Sequence, residues 1–118
     1  MRVQVRRVYD PPSPRDGIRL LVDGLWPEGL SRRQARLDGW CQALAPSTEV
    51  GRWYGQRPER WSGFAHGYRY QLARPEVADN LDDLRALAAD RPVTLLTASP
   101  DVDRSGAAVL AEVLLHGG

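Results

Sequence analysis

Apolar and polar positions alternate along residues 2–8. Val3, Val5 and Arg7 fall on one side and Arg2, Gln4 and Arg6 on the other, the period of two that marks an extended strand. Val8 and Tyr9 close it before Asp10-Pro11-Pro12-Ser13-Pro14, whose prolines suit a connection and whose short flanking strands do not suit a domain boundary. Asp16-Gly17 is a turn signal. The pattern then changes. Ile18, Leu20, Leu21 and Val22 make a nearly continuous apolar run, expected of a strand covered on both faces. Val93-Thr94-Leu95-Leu96-Thr97-Ala98 is a second run of this kind. Val3–Val8, Ile18–Asp23 and Val93–Ala98 are therefore predicted to be strands of one sheet.

Between the second and third strands the period lengthens. Ser31-Arg32-Arg33-Gln34 fits a capping box, with Ser31 as N-cap and Gln34 three residues on, so a short helix is predicted from Arg32. The stretch 36–44 is open to either reading: Leu37, Trp40, Cys41 and Leu44 have helical spacing, but Gly39 interrupts it. Ser47 or Thr48 can cap a helix over 48–55. Pro58-Glu59 opens a longer helix, since proline fits a first turn and an acid suits its positive end. Trp61, Phe64, Tyr68 and Leu72 form its apolar stripe. Gly63 and Gly67 within it each cost about 1 kcal/mol relative to alanine, which tertiary packing must offset. Pro75-Glu76 starts the next helix, with Val77, Leu81, Leu84 and Ala88 on one face. Asp103 or Ser105 caps the last, with Val109, Leu110, Val113 and Leu114 facing inward.

Helices separating buried strands predict an α/β fold: a single small layered domain over 1–118, with a largely parallel, Rossmann-like sheet flanked by helices. At 118 residues, 42% hydrophobic and 26% charged, the chain can bury a real core. A net charge of +1 makes no global appeal to nucleic acid or membrane. All 16 basic residues are arginine, which genome composition explains. Cys41 is the only cysteine, so no intrachain disulfide can form and a reducing compartment fits. No signal-like or membrane-spanning run occurs, and a cytoplasmic location is expected. His66 and His116 lack ligand spacing; neither a metal site nor any other cofactor is expected.

In open α/β sheets ligands sit beyond the carboxyl ends of the strands. Three such ends can be read. The first offers Arg7, Tyr9 and Asp10; the second Asp23, Trp26 and the loop glycines; the third Thr97, Ser99 and Asp101, followed by a helix N-terminus suited to anions. Arg7 and Asp23 are expected within hydrogen-bond reach, because a buried charge needs a partner. Arg19 stands in the same relation to Asp16. Trp26 reads as a core or lid aromatic, and Trp40, Trp53 and Trp61 as core. Cys41 has no neighbouring cation in sequence to activate it. The glycines of 24–29 match no nucleotide-binding pattern.

Arg6-Arg7-Val8-Tyr9-Asp10, Asp16-Gly17-Ile18-Arg19 and Leu21-Val22-Asp23-Gly24-Leu25-Trp26-Pro27-Glu28-Gly29 resemble the YeaO-like proteins, Domain of Unknown Function 488. The likeness continues through Leu37-Asp38-Gly39-Trp40, Ala45-Pro46-Ser47-Thr48-Glu49 and Val93-Thr94-Leu95-Leu96. It implies a small cytoplasmic α/β domain and supplies no reaction. The family pattern reads Asp-Arg-Leu-Trp-Pro-Arg-Gly in the central block, where this chain has Gly24 and Glu28. An Asn-His pair that opens the family's last helix corresponds to Ser105-Gly106. These departures imply a weakened, altered or inactive site.

The expected function is binding of a phosphate-bearing small molecule or nucleic acid at the strand ends, by Arg7, Tyr9, Arg19, Asp23, Trp26, Thr97 and Ser99. Two readings stand beside it. One is a hydrolase or transferase with Asp23 as general base, a role that an adjacent Arg7 would oppose by favouring the ionised form. The other is a non-enzymatic protein-interaction module, with a homodimer as one form. A membrane partner is not expected.

Overall fold

The computed structural model describes residues 1–117. Four strands, β1 (Val3–Arg7), β2 (Ile18–Leu21), β3 (Gly39–Trp40) and β4 (Val93–Thr97), form one sheet in the order β1-β4-β2-β3. Every pairing is parallel, with Val3 and Ile18 both in register with Val93. The helices are α1 (Arg32–Ala35), α2 (Thr48–Tyr54), α3 (Trp61–Leu72), α4 (Ala78–Asp90) and α5 (Gly106–His116). The predicted capping box forms at Ser31 and Gln34, while Ser47 caps α2 and Ser105 caps α5. Pro58 and Pro75 open short 3-10 turns that lead into α3 and α4 instead of the α-helices themselves. The ambiguous stretch 36–44 resolves into the two-residue β3 and a 3-10 turn over Gln42–Leu44.

The strand period of two divides the core by face. Ile18, Leu20, Val22, Val93 and Leu95 join the inward stripes of α3, α4 and α5 in the larger cluster, with Val3 and Val5 packed against it. On the opposite face Val8, Leu21 and Leu96 pack with Ala35, bordered by Trp26, Leu37 and Trp40. That second face is closed by the 8–17 crossing and the 24–38 segment, not by a layer of long helices. A polar clasp completes it. The buried Asp16 carboxylate accepts from Arg19 Nη1 at 2.6 Å, Arg6 Nη1 at 2.8 Å, Ser13 N at 2.9 Å and Gln4 Nε2 at 3.3 Å. Thr94 Oγ1 donates to the Asp16 carbonyl at 2.7 Å. The expected Arg19–Asp16 pair is thus present, with Arg6 as a second cation.

Two expectations fail for identifiable reasons. Trp53 is 47% exposed rather than core: it caps the outer side of α2, its indole lying over Gly63 and its face covered by Arg60. A Cβ at Gly63 would come within 2.7 Å of that ring, so this helical glycine makes room for a neighbour. Arg7 and Asp23 form no ion pair, because β4 lies between β1 and β2 and holds their side chains apart.

Candidate functional site

Arg7 and Asp23 instead meet at one residue, Ala98, through the two successive peptide groups that flank its Cα. Asp23 accepts from Ala98 N at 2.7 Å and from Thr97 Oγ1 at 2.8 Å. Arg7 donates to the Ala98 carbonyl at 3.2 Å and the Ser99 carbonyl at 3.1 Å, and its guanidinium lies over the Tyr9 ring. Thr97 Oγ1 in turn accepts from Ser99 N at 3.2 Å. Side chains thereby claim both polar groups of Ala98, directly after β4, and the chain turns out of the sheet.

Beyond this brace lies a cleft of about 660 Å³, within the range of small-molecule sites. Its floor is the carboxyl ends of β2 and β4, where Asp23, Thr97 and Ser99 line it. One wall is the 24–29 loop with Trp26. The other is α2 with Tyr54 and Arg52, backed by Phe64 of α3. The far end is the first turn of α5 at Ser105 and Gly106. Tyr9 closes the near side and donates to the Glu28 carbonyl at 2.9 Å, fastening the loop after β1 to the 24–29 loop. Trp26 donates to the Leu30 carbonyl at 2.6 Å and stands edge-on to Trp40, with Arg32 over its outer face. That placement fits a lid aromatic anchored in the smaller core.

The α2 wall is fixed by packing. Tyr54 stacks on Phe64 at 4.7 Å between centroids and donates to the Arg104 carbonyl at 2.9 Å. The loop feeding α2 is stapled to α3. Tyr68 donates to the Leu44 carbonyl, while Gln71 donates to the Ala45 carbonyl at 2.8 Å and accepts from Ser47 N at 2.9 Å. These bonds seat the Pro46 ring on Gly106, where a Cβ would meet Pro46 Cγ at 2.8 Å. Gln56 is held at a φ of +61° and its side-chain oxygen lies 3.2 Å from the Ser99 hydroxyl.

The electrostatics separate structural from available groups. Burial pushes the Asp23 carboxyl up, and the bonds from Ala98 and Thr97 offset part of that rise. Burial also raises the Cys41 thiol, which lines a separate groove. Burial raises Tyr54 too; the charge of Asp101 adds to the rise, and Arg104 opposes it. Arg19 lies outside the cleft, with its guanidinium on Asp16 and on the Ala35 and Arg36 carbonyls. Arg7 lies outside it as well. Of the sequence-nominated residues, Tyr9, Asp23, Trp26, Thr97 and Ser99 line the cleft together. The cation that lines it is Arg52, which sequence reasoning missed. A solvent-side arginine on α2 carries no local signal, and only the packing of α2 on α3 turns it toward the strand ends.

No group of metal-binding side chains occurs among the described residues, and no histidine or cysteine lines the cleft. No helix is long and apolar enough to cross a membrane among these residues. The arrangement is that of a parallel α/β domain with a cleft at the carboxyl edge of its sheet. The chain belongs to the family described as the Inactive DUF488-N3 subclade, which it matches over residues 2–117. It is 43% identical over 113 residues to an uncharacterized protein of Mycobacterium tuberculosis strain H37Rv, covering 96% of this chain and 93% of the relative. It is 35% identical over 114 residues to the uncharacterized protein YeaO of Escherichia coli strain K12, covering 97% of each. No solved structure matches it.

Proposed function

We propose that this chain is a binding domain that holds a small phosphate-bearing ligand, of mononucleotide size, in the cleft without transforming it. The observation that carries the reading is the meeting of Arg52 and the first turn of α5 in one cleft. Ser105 Oγ takes up the Ala108 N–H at 3.2 Å. The N–H groups of Gly106 and Ala107 precede the helix's own ladder, as the first donors of any helix do, and favour an anion at that end. The aromatic faces of Trp26, Tyr54 and Phe64 supply apolar walls for the remainder of the ligand. Asp23 acts here as a brace. Each of its oxygens already accepts a hydrogen bond from the end of β4, which favours a structural carboxylate over a free general base. The family description points the same way.

Titration of 15N-labelled protein with inorganic phosphate, mononucleotides and a short single-stranded oligonucleotide tests the proposal. Mononucleotides at millimolar concentration should shift the Gly106 and Ala107 amides, and both Arg52→Ala and added salt should weaken the effect. Restoring charge with Gly24→Arg and Glu28→Arg should strengthen it. Unshifted α5 amides with every phosphate ligand would reject the site. A response only to the oligonucleotide, spread over the arginine-bearing surface, would reject the small-ligand reading in favour of nucleic acid.

A further inference from the structure

A second concavity lies away from the cleft, along the open edge of the sheet. β3 is an edge strand, paired among the described residues only with β2. Beside it runs a groove of about 390 Å³ between the residues following β3 and the flank of α4. Leu20, Leu44, Leu84 and Leu87 make it apolar, and Asn80 and Asp83 form its α4 bank. Asp79, one turn before Asp83, continues that bank by the i, i+4 rule. Both acids are exposed, and neither has an ion-pair partner among the described residues. Among the described residues no arginine lines the groove, although the chain carries 16 basic residues.

We propose that this edge docks an extended, arginine- or lysine-bearing segment of a partner protein, added to the sheet beside β3. The physics is that of strand addition: main-chain hydrogen bonds supply attachment and alternate side chains enter the groove. A cationic side chain suits the groove on both counts, since its aliphatic stem can lie on Leu84 and Leu87 while its head reaches Asp83. Charge also selects against a second copy using the same face. Two-fold pairing of β3 edges would bring two Asp79–Asp83 banks together, and like charges facing each other disfavour that contact.

Cys41 gives the test a direct readout, because the chain's only cysteine lines this groove. The probe is the peptide acetyl-Arg-Val-Arg-Val-Arg-Val-amide, with the Glu-for-Arg peptide as control. The arginine peptide should slow alkylation of Cys41 by N-ethylmaleimide severalfold and shift the amides of residues 39–43. Replacing both acids, Asp79→Asn with Asp83→Asn, should raise its Kd by about tenfold at low salt, since each exposed pair contributes modestly. These α4 positions are solvent-facing, so the variant should stay folded. Unchanged alkylation at peptide concentrations that shift amides elsewhere would overturn the proposal. Equal protection by the glutamate peptide, or a concentration-dependent dimer that protects Cys41 unaided, would overturn it too.

Discussion

Replacing Asp16 by asparagine should be among the most damaging isosteric changes this fold can suffer. The side chain is 1% exposed and lies against two guanidinium groups, of which Arg19 is also buried. Asparagine keeps the shape but removes the charge, and it turns one acceptor into a donor facing other donors. Removing one partner of a buried pair costs about 3–5 kcal/mol, because the remaining charge stays buried. Unfolding entropy of about 2.1 cal/mol/K per residue makes each kcal/mol worth about 4 °C in a chain this size, so Tm should fall by about 12–20 °C. The pH dependence is a sharper test. Burial alone would raise the Asp16 carboxyl; the N–H of Ser13 and the guanidinium groups of Arg6 and Arg19 outweigh it and hold the carboxyl below its ordinary range. A depressed folded-state value contributes stability above the unfolded value of about 3.9, and that contribution is lost as pH falls through the folded value. Urea unfolding of wild type and variant should differ most near neutrality, with the gap closing below about pH 4 at unchanged m. A difference under about 1 kcal/mol at pH 7, or a gap that acid leaves intact, would refute the clasp as the holder of this face.

Three further expectations follow from the packing. Gly106→Ala adds a better helix former, yet its Cβ would meet the stapled Pro46 ring at 2.8 Å; a net loss of about 1–3 kcal/mol in denaturant unfolding is expected, and a gain would show that the 44–47 loop yields freely. Gly63→Ala meets the half-exposed Trp53 ring, which can swing into solvent, so stability should change by less than about 1 kcal/mol while the Trp53 indole resonance moves toward its solvent position. The Asp23 carboxyl should titrate above the ordinary aspartate range in a carbon-detected NMR series, because burial outweighs its two hydrogen bonds. A raised carboxyl makes the fold lose stability as pH rises from about 3.9 to the folded value, and a midpoint at or below 3.9 would contradict the burial.

The buried strands were legible because Ile18–Leu21 and Val93–Thr97 are covered on both faces, and such strands carry their signature as uninterrupted apolar runs. The cap at Ser31 was legible because capping is local chemistry, and the caps of α2 and α5 were narrowed to two candidates each, from which the structure selects Ser47 and Ser105. β3 was not, since two residues cannot display a period. The site was half legible. Asp23, Trp26, Thr97 and Ser99 follow from strand ends, which sequence locates. Arg52 does not, because its position depends on helix packing. The Arg7–Asp23 pairing failed on strand order: nothing in the local pattern says that β4, 70 residues on in sequence, inserts between the first two strands.

The double claim on Ala98, one side chain on its N–H and another on its carbonyl, has an evolutionary consequence. Arg7 and Asp23 each hold the end of β4 through a part-buried hydrogen bond, and loss of either leaves a backbone group to find a new partner. Selection for a folded chain is therefore enough to retain both residues, whatever the cleft beside them does. Invariance of an arginine and an aspartate at these positions across relatives would measure the demand of the scaffold. Divergence at Gly24, Glu28 and Arg52, which carry less of that demand, is where a change of ligand would be written.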